Sequence, residues 1–217
     1  MKEKNNVNKV INKKLLYSAI SFFIFIILTI LVLTGVTNKI DLSIEAFIIS
    51  IRNDNLTKVL TVITNIGSAY SLISLTFLIS LIATIKRKKL PINTIINLIS
   101  VFIISQIFKA IIRRPRPAEI FLVKASGYSY PSGHTMVSFA FFTFIAYSLL
   151  EKIDNKILKM MIRLITLLLV IAIGFSRIYL GVHHFTDVLG GYLLGLSYLL
   201  VFLNIRASVI KKEKKWK

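Results

Sequence analysis

A polar, basic opening over residues 1–14 gives way to an uncharged apolar run from Leu15 to Val36. At roughly 20 apolar residues per helical pass, that run predicts one full membrane span. It is longer than the apolar part of a usual signal peptide, and no A-x-A-like cleavage site follows it, so it reads as a retained anchor. The stretch from Asp41 to Asn65 alternates apolar residues at helical spacing with Glu45, Arg52, Asp54 and Lys58, which predicts interfacial helices and no span. Further spans are expected over about Ser68–Ile85, from Pro91 to Ile112 with the proline near the first turn, and over Ser132–Leu150. Between the third and fourth of these, Arg113 to Pro131 is polar, rich in Arg and Pro, and too irregular to face lipid. A fifth span begins near Ile157 with Lys159 and Arg163 reaching toward the interface, and a sixth covers about Asp187 to Leu203, where Gly190, Gly191 and Gly195 favour close helix packing.

Composition supports the membrane reading. The 217 residues are 55% hydrophobic and 17% charged, with a mean hydropathy of +0.75, which excludes disordered, collagenous and ordinary soluble classes. The fold expected is an all-α integral membrane protein of six transmembrane helices, with interfacial helices between the first and second. Its parts are a basic tail over 1–14, a membrane domain over 15–205 and a basic tail over 206–217. No internal repeat is visible. The absence of cysteine excludes disulfides, thiolate metal sites and a Cys nucleophile.

The net charge of +19 resolves once it is sorted by side. Nineteen of the 28 Lys and Arg fall in the N-terminal tail, Lys86–Lys89, Lys152–Arg163 and the stretch from Arg206 onward, which the positive-inside rule places in the cytoplasm together with both termini. That distribution weakens the case for nucleic acid and leaves the basic C-terminal KKEKKWK to meet anionic membrane lipid. Of the nine remaining, Lys109, Arg113, Arg114, Arg116, Lys124 and Arg177 lie in or beside the two outer loops that hold the histidines, and topology does not explain them.

Three short segments therefore meet at the outer membrane face: Lys109–Pro117, Pro131–His134 and Ser176–Asp187. They contain all three histidines, His134, His183 and His184. Lys109, Arg116 and Arg177 could converge on an anion, for which phosphate is the best match to an Arg fork and a Lys point charge; singly, each is an ordinary headgroup-level cation. Ser132 can cap a helix whose first-turn N–H groups face an anion, and Gly133 lets the backbone approach closely. His183 and Asp187 are four apart, so the carboxylate could accept the imidazole Nδ1–H and leave Nε2 as a nucleophile; Asp187 could equally be an N-cap. The same pair with His134 could ligate zinc, but the surrounding cations oppose a divalent metal, so no metal or other cofactor is expected. His184 lacks a carboxylate four residues on and is given an interfacial or packing role.

Lys109-x6-Arg116-Pro117, Pro131-Ser132-Gly133-His134 and Ser176-Arg177-x5-His183-x3-Asp187 together resemble the three-part signature of the type 2 phosphatidic acid phosphatases, in order and with no substituted position. The resemblance implies that His183 attacks phosphorus to form a phosphohistidine, oriented by Asp187, and that His134 serves as acid and then base. It further implies that Lys109, Arg116, Arg177, Ser132 and Gly133 hold the phosphate. The activity implied is hydrolysis of a lipid phosphate at the cell membrane, with undecaprenyl pyrophosphate first and phosphatidylglycerophosphate or phosphatidic acid as alternatives. A lipid or anion transporter is the alternative of another class; it would call for repeat symmetry and broken midplane helices, which the sequence does not display.

Overall fold

The computed structural model describes residues 2–85, 90–117 and 121–215, with side chains over 13–82, 92–117 and 121–209. Every regular element among them is helical: α1 (Lys2–Leu33), α2 (Asn38–Ser50), α3 (Asp54–Ile66), α4 (Ala69–Ile85), α5 (Leu90–Ile112), α6 (Gly133–Leu150), α7 (Lys156–Tyr179) and α8 (Phe185–Lys215). Five of these, α1, α5, α6, α7 and α8, are long and apolar enough to cross a membrane alone. The expected second span is α4, whose 17 residues give about 25 Å of helix, a little short of the roughly 30 Å hydrocarbon layer. It forms a sixth candidate crossing together with α3, from which it is bent by 48° at Gly67–Ser68. The stretch expected to hold interfacial helices and no span forms α2 and α3, of which α3 belongs to that bent candidate crossing.

Both basic tails continue the helix of the neighbouring span: α1 begins at Lys2, and α8 runs on to Lys215. No Gly or Pro interrupts either extension, and Lys, Glu, Ala and Ile sustain a helix once it has started. Lys86–Lys89, counted above toward topology, lie outside the described residues.

α6 lies at the centre, packed on α5, α7 and α8, while α1 packs along α8 and α4 along α5. Its sequence is apolar on all sides, as befits a helix enclosed by others, and Met136, Ala140, Phe141 and Phe144 are fully buried. The α6–α8 contact is close because α8 carries Gly191: a Cβ there would stand 2.8 Å from the Ser132 carbonyl oxygen and 3.1 Å from Thr135 Cβ. On the α1–α8 seam, Ser18 Oγ donates to the Ser197 carbonyl at 2.9 Å and Ser21 Oγ to the Leu193 carbonyl at 2.8 Å, the hydroxyl-to-backbone bonding that lipid-embedded helices use in place of hydrophobic drive.

The helices alternate in direction, so the ends sort cleanly. Lys14 Nζ lies 3.5 Å from Tyr147 Oη, and Arg206 pairs with Glu151 at 3.1 Å, which puts the start of α1 and the late part of α8 at the same end as the close of α6. The opposite end gathers the α5–α6 loop, the start of α6 and the α7–α8 turn. There α5 stops at Ile112, where Arg113 takes a left-handed conformation (φ 53°), and Pro115 and Pro117 keep the chain from resuming a helix.

Candidate active site

At that end a cavity of about 720 Å3 is lined by Lys109 from α5, Arg116 from the following loop, Gly133 and His134 from the start of α6, Arg177 from the last turn of α7, and His183 from the α7–α8 turn. Three segments far apart in sequence thus supply one wall set. The first turn of α6 points its N–H groups outward by helix geometry, and its wall residue is a glycine for a steric reason: a Cβ on Gly133 would sit 3.1 Å from Ser105 Oγ and 3.4 Å from Lys109 Cε.

Lys124 also lines the cavity, and Lys109, Arg116 and Arg177 are held by neutral acceptors that leave their charge available. Lys109 Nζ donates to the Tyr128 carbonyl at 2.6 Å. Arg116 donates from Nε to Gly127 O at 3.1 Å, from Nη2 to Ser126 O at 2.9 Å, and from Nη1 to Val182 O, so the 126–128 loop is wrapped around its guanidinium. Burial lowers its pKa, opposed by the Asp187 carboxylate, but a guanidinium stays protonated at any ordinary pH. Arg177, buried at 5% exposure, donates from Nη1 to Thr64 Oγ1 at 2.7 Å, and its Nε has no protein partner. Ser105 Oγ, also in the cavity wall and fully buried, likewise has none. Buried donors of this kind are costly unless something accepts from them.

His183 is buried with Nδ1 3.2 Å from Asp187 Oδ2 and Nε2 3.4 Å from Arg116 Nη1. Burial brings its pKa down to about 3, against the raising effect of its hydrogen bond to Asp187, so the ring is neutral at pH 7. With Nδ1–H given to the carboxylate, Nε2 presents its lone pair on the cavity side, the arrangement of an activated imidazole. Asp187 also accepts from the His184 backbone N–H at 3.0 Å. Because α8 starts at Phe185, this is the back-bond from the third helical residue to the N-cap. Asp187 is therefore not the N-cap, which is His184, but the third residue of α8, bonding back to that cap while it partners the imidazole.

One sequence-derived placement changes. Ser132 occupies the N-cap position of α6 but makes no side-chain cap bond; its Oγ accepts from Thr135 Oγ1 at 3.0 Å, and its N–H donates to the Asp187 carbonyl at 2.9 Å. Fully buried behind Gly133 and absent from the cavity lining, it ties the second segment to the third, because Gly191 draws α8 onto its backbone and leaves its hydroxyl no route to the cavity. His184 packs beside α2 with its Nδ1 3.9 Å from Glu45 Oε2, beyond hydrogen-bond distance, and burial lowers its pKa. Among the described residues no cluster of His, Asp and Glu is arranged to hold a metal ion.

Sequence reasoning did not single out Asp41, Thr64, Ser105 or Thr186, and it left Arg114 among the unexplained outer cations. Arg114 Nη1 meets Asp187 Oδ1 at 2.6 Å and Nη2 meets Asp41 Oδ2 at 2.7 Å. An acidic residue within an apolar helical stretch, as Asp41 is, was the available signal.

Toward the opposite end the cavity continues as an apolar groove between α4 and α5, lined by Leu72, Ile73, Leu98, Ile99 and Phe102, of which Ile73, Ile99 and Phe102 are about half exposed or more.

Comparison with known proteins agrees with this geometry. The chain is 35% identical over 195 residues to phosphatidylglycerophosphatase B of Bacillus subtilis, covering 87% of this chain and 93% of that protein. It is 26% identical over 210 residues to an undecaprenyl-diphosphatase of Sulfolobus acidocaldarius, covering 91% and 96%. The crystal structure of a transmembrane PAP2 type phosphatidylglycerolphosphate phosphatase from Bacillus subtilis superposes with a TM-score of 0.83 at 29% identity, covering 88% of this chain and 96% of that one. Residues 90–211, which hold all three motif segments and every cavity cation, match the PAP2 superfamily; the chain belongs to that superfamily and is a multi-pass membrane lipid phosphatase.

Proposed function

We propose that the chain removes the terminal phosphate of a long-tailed lipid phosphate through a phosphohistidine on His183. The observation that carries this reading is the shared cavity: two histidines and four cations, Lys109, Arg116, Lys124 and Arg177, at the head of a groove that is apolar and open along α4 and α5. A substrate phosphoryl group fits between Lys109, Arg116 and Arg177, whose fixed positive charge stabilises the equatorial oxygens as the bond to the leaving oxygen lengthens. The tail lies against Leu98, Ile99 and Phe102. His183 Nε2 attacks phosphorus while Asp187 holds Nδ1 and balances the imidazolium that forms. His134, in the same cavity wall, donates a proton to the leaving lipid oxygen, then as the free base takes a proton from the water that cleaves the phosphorus–nitrogen bond. Inorganic phosphate leaves and both histidines are restored. The N–H groups at Gly133 and His134 and the side-chain cations hold the phosphate throughout; Ser132 supports that turn from behind.

Phosphatidylglycerophosphate moves ahead of the polyprenyl diphosphate expected from sequence, because the relative at 35% identity and the solved structure at TM-score 0.83 both carry that activity in their names. Undecaprenyl pyrophosphate stands second, on the full-length likeness to an undecaprenyl-diphosphatase. The Lys/Arg distribution, through the positive-inside rule, supports cytoplasmic termini and a cavity at the outer face of the cell membrane. The test is release of inorganic phosphate by purified protein, in excess EDTA, from phosphatidylglycerophosphate, undecaprenyl pyrophosphate and phosphatidic acid compared by kcat/KM. Turnover of the first at least tenfold above the others is expected. No phosphate release from any of the three, or activity lost on chelation, contradicts the proposal.

A further inference from the structure

Arg113, Arg114 and Arg116 lie within four residues of one another and meet three different fates. Arg113 is exposed, with Nε on the Ala110 carbonyl at 2.8 Å; Arg116 lines the cavity. Arg114 turns the other way, behind the cavity wall, where its side chain is 9% exposed. Its fork is divided between two carboxylates. Nη1 bonds Asp187 Oδ1 at 2.6 Å and Thr186 Oγ1 at 2.8 Å, and Nη2 bonds Asp41 Oδ2 at 2.7 Å. Asp41, on the first turn of α2, is 2% exposed and also receives the Thr186 N–H at 3.0 Å and the Thr186 hydroxyl at 2.7 Å.

We infer that Arg114 and Asp41 are positioning residues that fix the carboxylate plane of Asp187 and, through it, the ring of His183. The inference rests on the phosphohistidine reading above. The geometry leaves Asp187 Oδ2 for His183 Nδ1 and the His184 N–H because Oδ1 is occupied by Arg114. A carboxylate with one oxygen clamped cannot rotate about its terminal bond without breaking a charge-assisted hydrogen bond, so the acceptor presented to Nδ1 keeps its direction. Asp41 does the same for Arg114: without it the guanidinium is anchored at one end only. This chain of contacts also gives α2 a role. It lines no part of the cavity, and holds the catalytic turn from behind through Asp41 at residues 114 and 186.

Neither Arg114 nor Asp41 lines the cavity, so neither can hold the phosphate. Orientation of the nucleophile is then separable from affinity for the anion, which Lys109, Arg116 and Arg177 provide. The experiment uses the purified full chain in mixed micelles with phosphatidic acid as substrate and inorganic phosphate as competing ligand. Asp41→Asn keeps the shape of the side chain and removes its charge. It is expected to lower kcat about 10–100-fold, the range for losing an outer support of a site residue, while the phosphate inhibition constant stays within about threefold. Arg114→Gln is expected to lower kcat at least as much, Arg114→Lys to restore part of the loss, and the double variant to fall no further than Arg114→Gln alone. A kcat within twofold of the parent for Asp41→Asn overturns the inference. So does a loss of phosphate binding in step with kcat, the signature of general disruption. Should Arg114→Gln fail to fold with two facing buried carboxylates, Asp41→Asn decides alone. His183→Ala separates the two layers: a dead His183→Ala beside a normal Asp41→Asn removes the positioning role and leaves the phosphohistidine, whereas an active His183→Ala removes the reaction itself.

Discussion

The two flanks of α6 are built to opposite specifications. On the α1–α8 flank, Gly191 brings backbones into contact, serine hydroxyls bond carbonyls of the facing helix, and Tyr130 is fully buried with its ring stacked on Phe25 (centroids 5.8 Å apart) and its hydroxyl 3.0 Å from Thr29 Oγ1. On the α4–α5 flank, Ile73, Ile99 and Phe102 stand half exposed along a groove that opens into the cavity. The closed flank fixes where the start of α6 and the α7–α8 turn meet, and so where His134 and His183 lie. The open flank admits an apolar chain without disturbing them. A lipid-processing site needs both, because the reacting groups tolerate errors of a fraction of an ångström while the tail needs only an oily surface.

Forcing the closed flank apart gives the largest expected effect. Gly191→Ala sets a methyl group 2.8 Å from the Ser132 carbonyl, where only backbone can give way. Overpacking of this kind costs about 1–3 kcal/mol, and the shift passes directly to Gly133 and His134, so a lowered Tm and at least a hundredfold fall in kcat are expected, measured by thermal unfolding in detergent and phosphate release. Filling the open flank has a smaller and selective effect. Ile99→Trp is expected to reduce kcat/KM for a long-chain lipid phosphate about tenfold, equivalent to about 1.4 kcal/mol, and to leave a short water-soluble phosphate ester unaffected. Equal loss on both substrates would mean that the groove carries no tail.

A subtler break lies where α3 supports the cavity. Thr64→Val removes the acceptor of Arg177 Nη1 in a buried setting, which costs about 1–3 kcal/mol of stability, and a threefold to tenfold weaker phosphate inhibition constant is expected as the guanidinium loses its anchor. A further effect, on stability and not on activity, is pH dependence. His183 has a pKa near 3 in the fold against about 6.5 in an unfolded chain, so between those values the unfolded state binds more protons and stability rises with pH. The Tm should fall as pH is lowered from 7 toward 4, and His183→Gln should flatten that slope; an unchanged slope would contradict a buried neutral imidazole.

Periodicity and charge-free length were enough to find the helices, since lipid imposes an apolar run on every crossing. The cavity lining was legible for a related reason: its charged and histidine residues sit at or beside helix ends, where their spacing to the nearest apolar run is fixed. What stayed hidden depends on partners more than 70 residues away. Arg114 and Asp41 meet across that separation, and Thr64 reaches Arg177 across 113 residues. Nothing local marks Arg114 as different from Arg113. Ser132 shows the converse, because its sequence context fits a helix cap and the closeness of α8 assigns it otherwise.

The most direct measurement is identification of the covalent intermediate. Protein mixed with lipid phosphate labelled at the terminal phosphoryl group, quenched in alkali within milliseconds and digested, should carry the label on the peptide containing His183, and His183→Ala should carry none. Label on the His134 peptide, or steady turnover by His183→Ala, would contradict the assignment of the nucleophile.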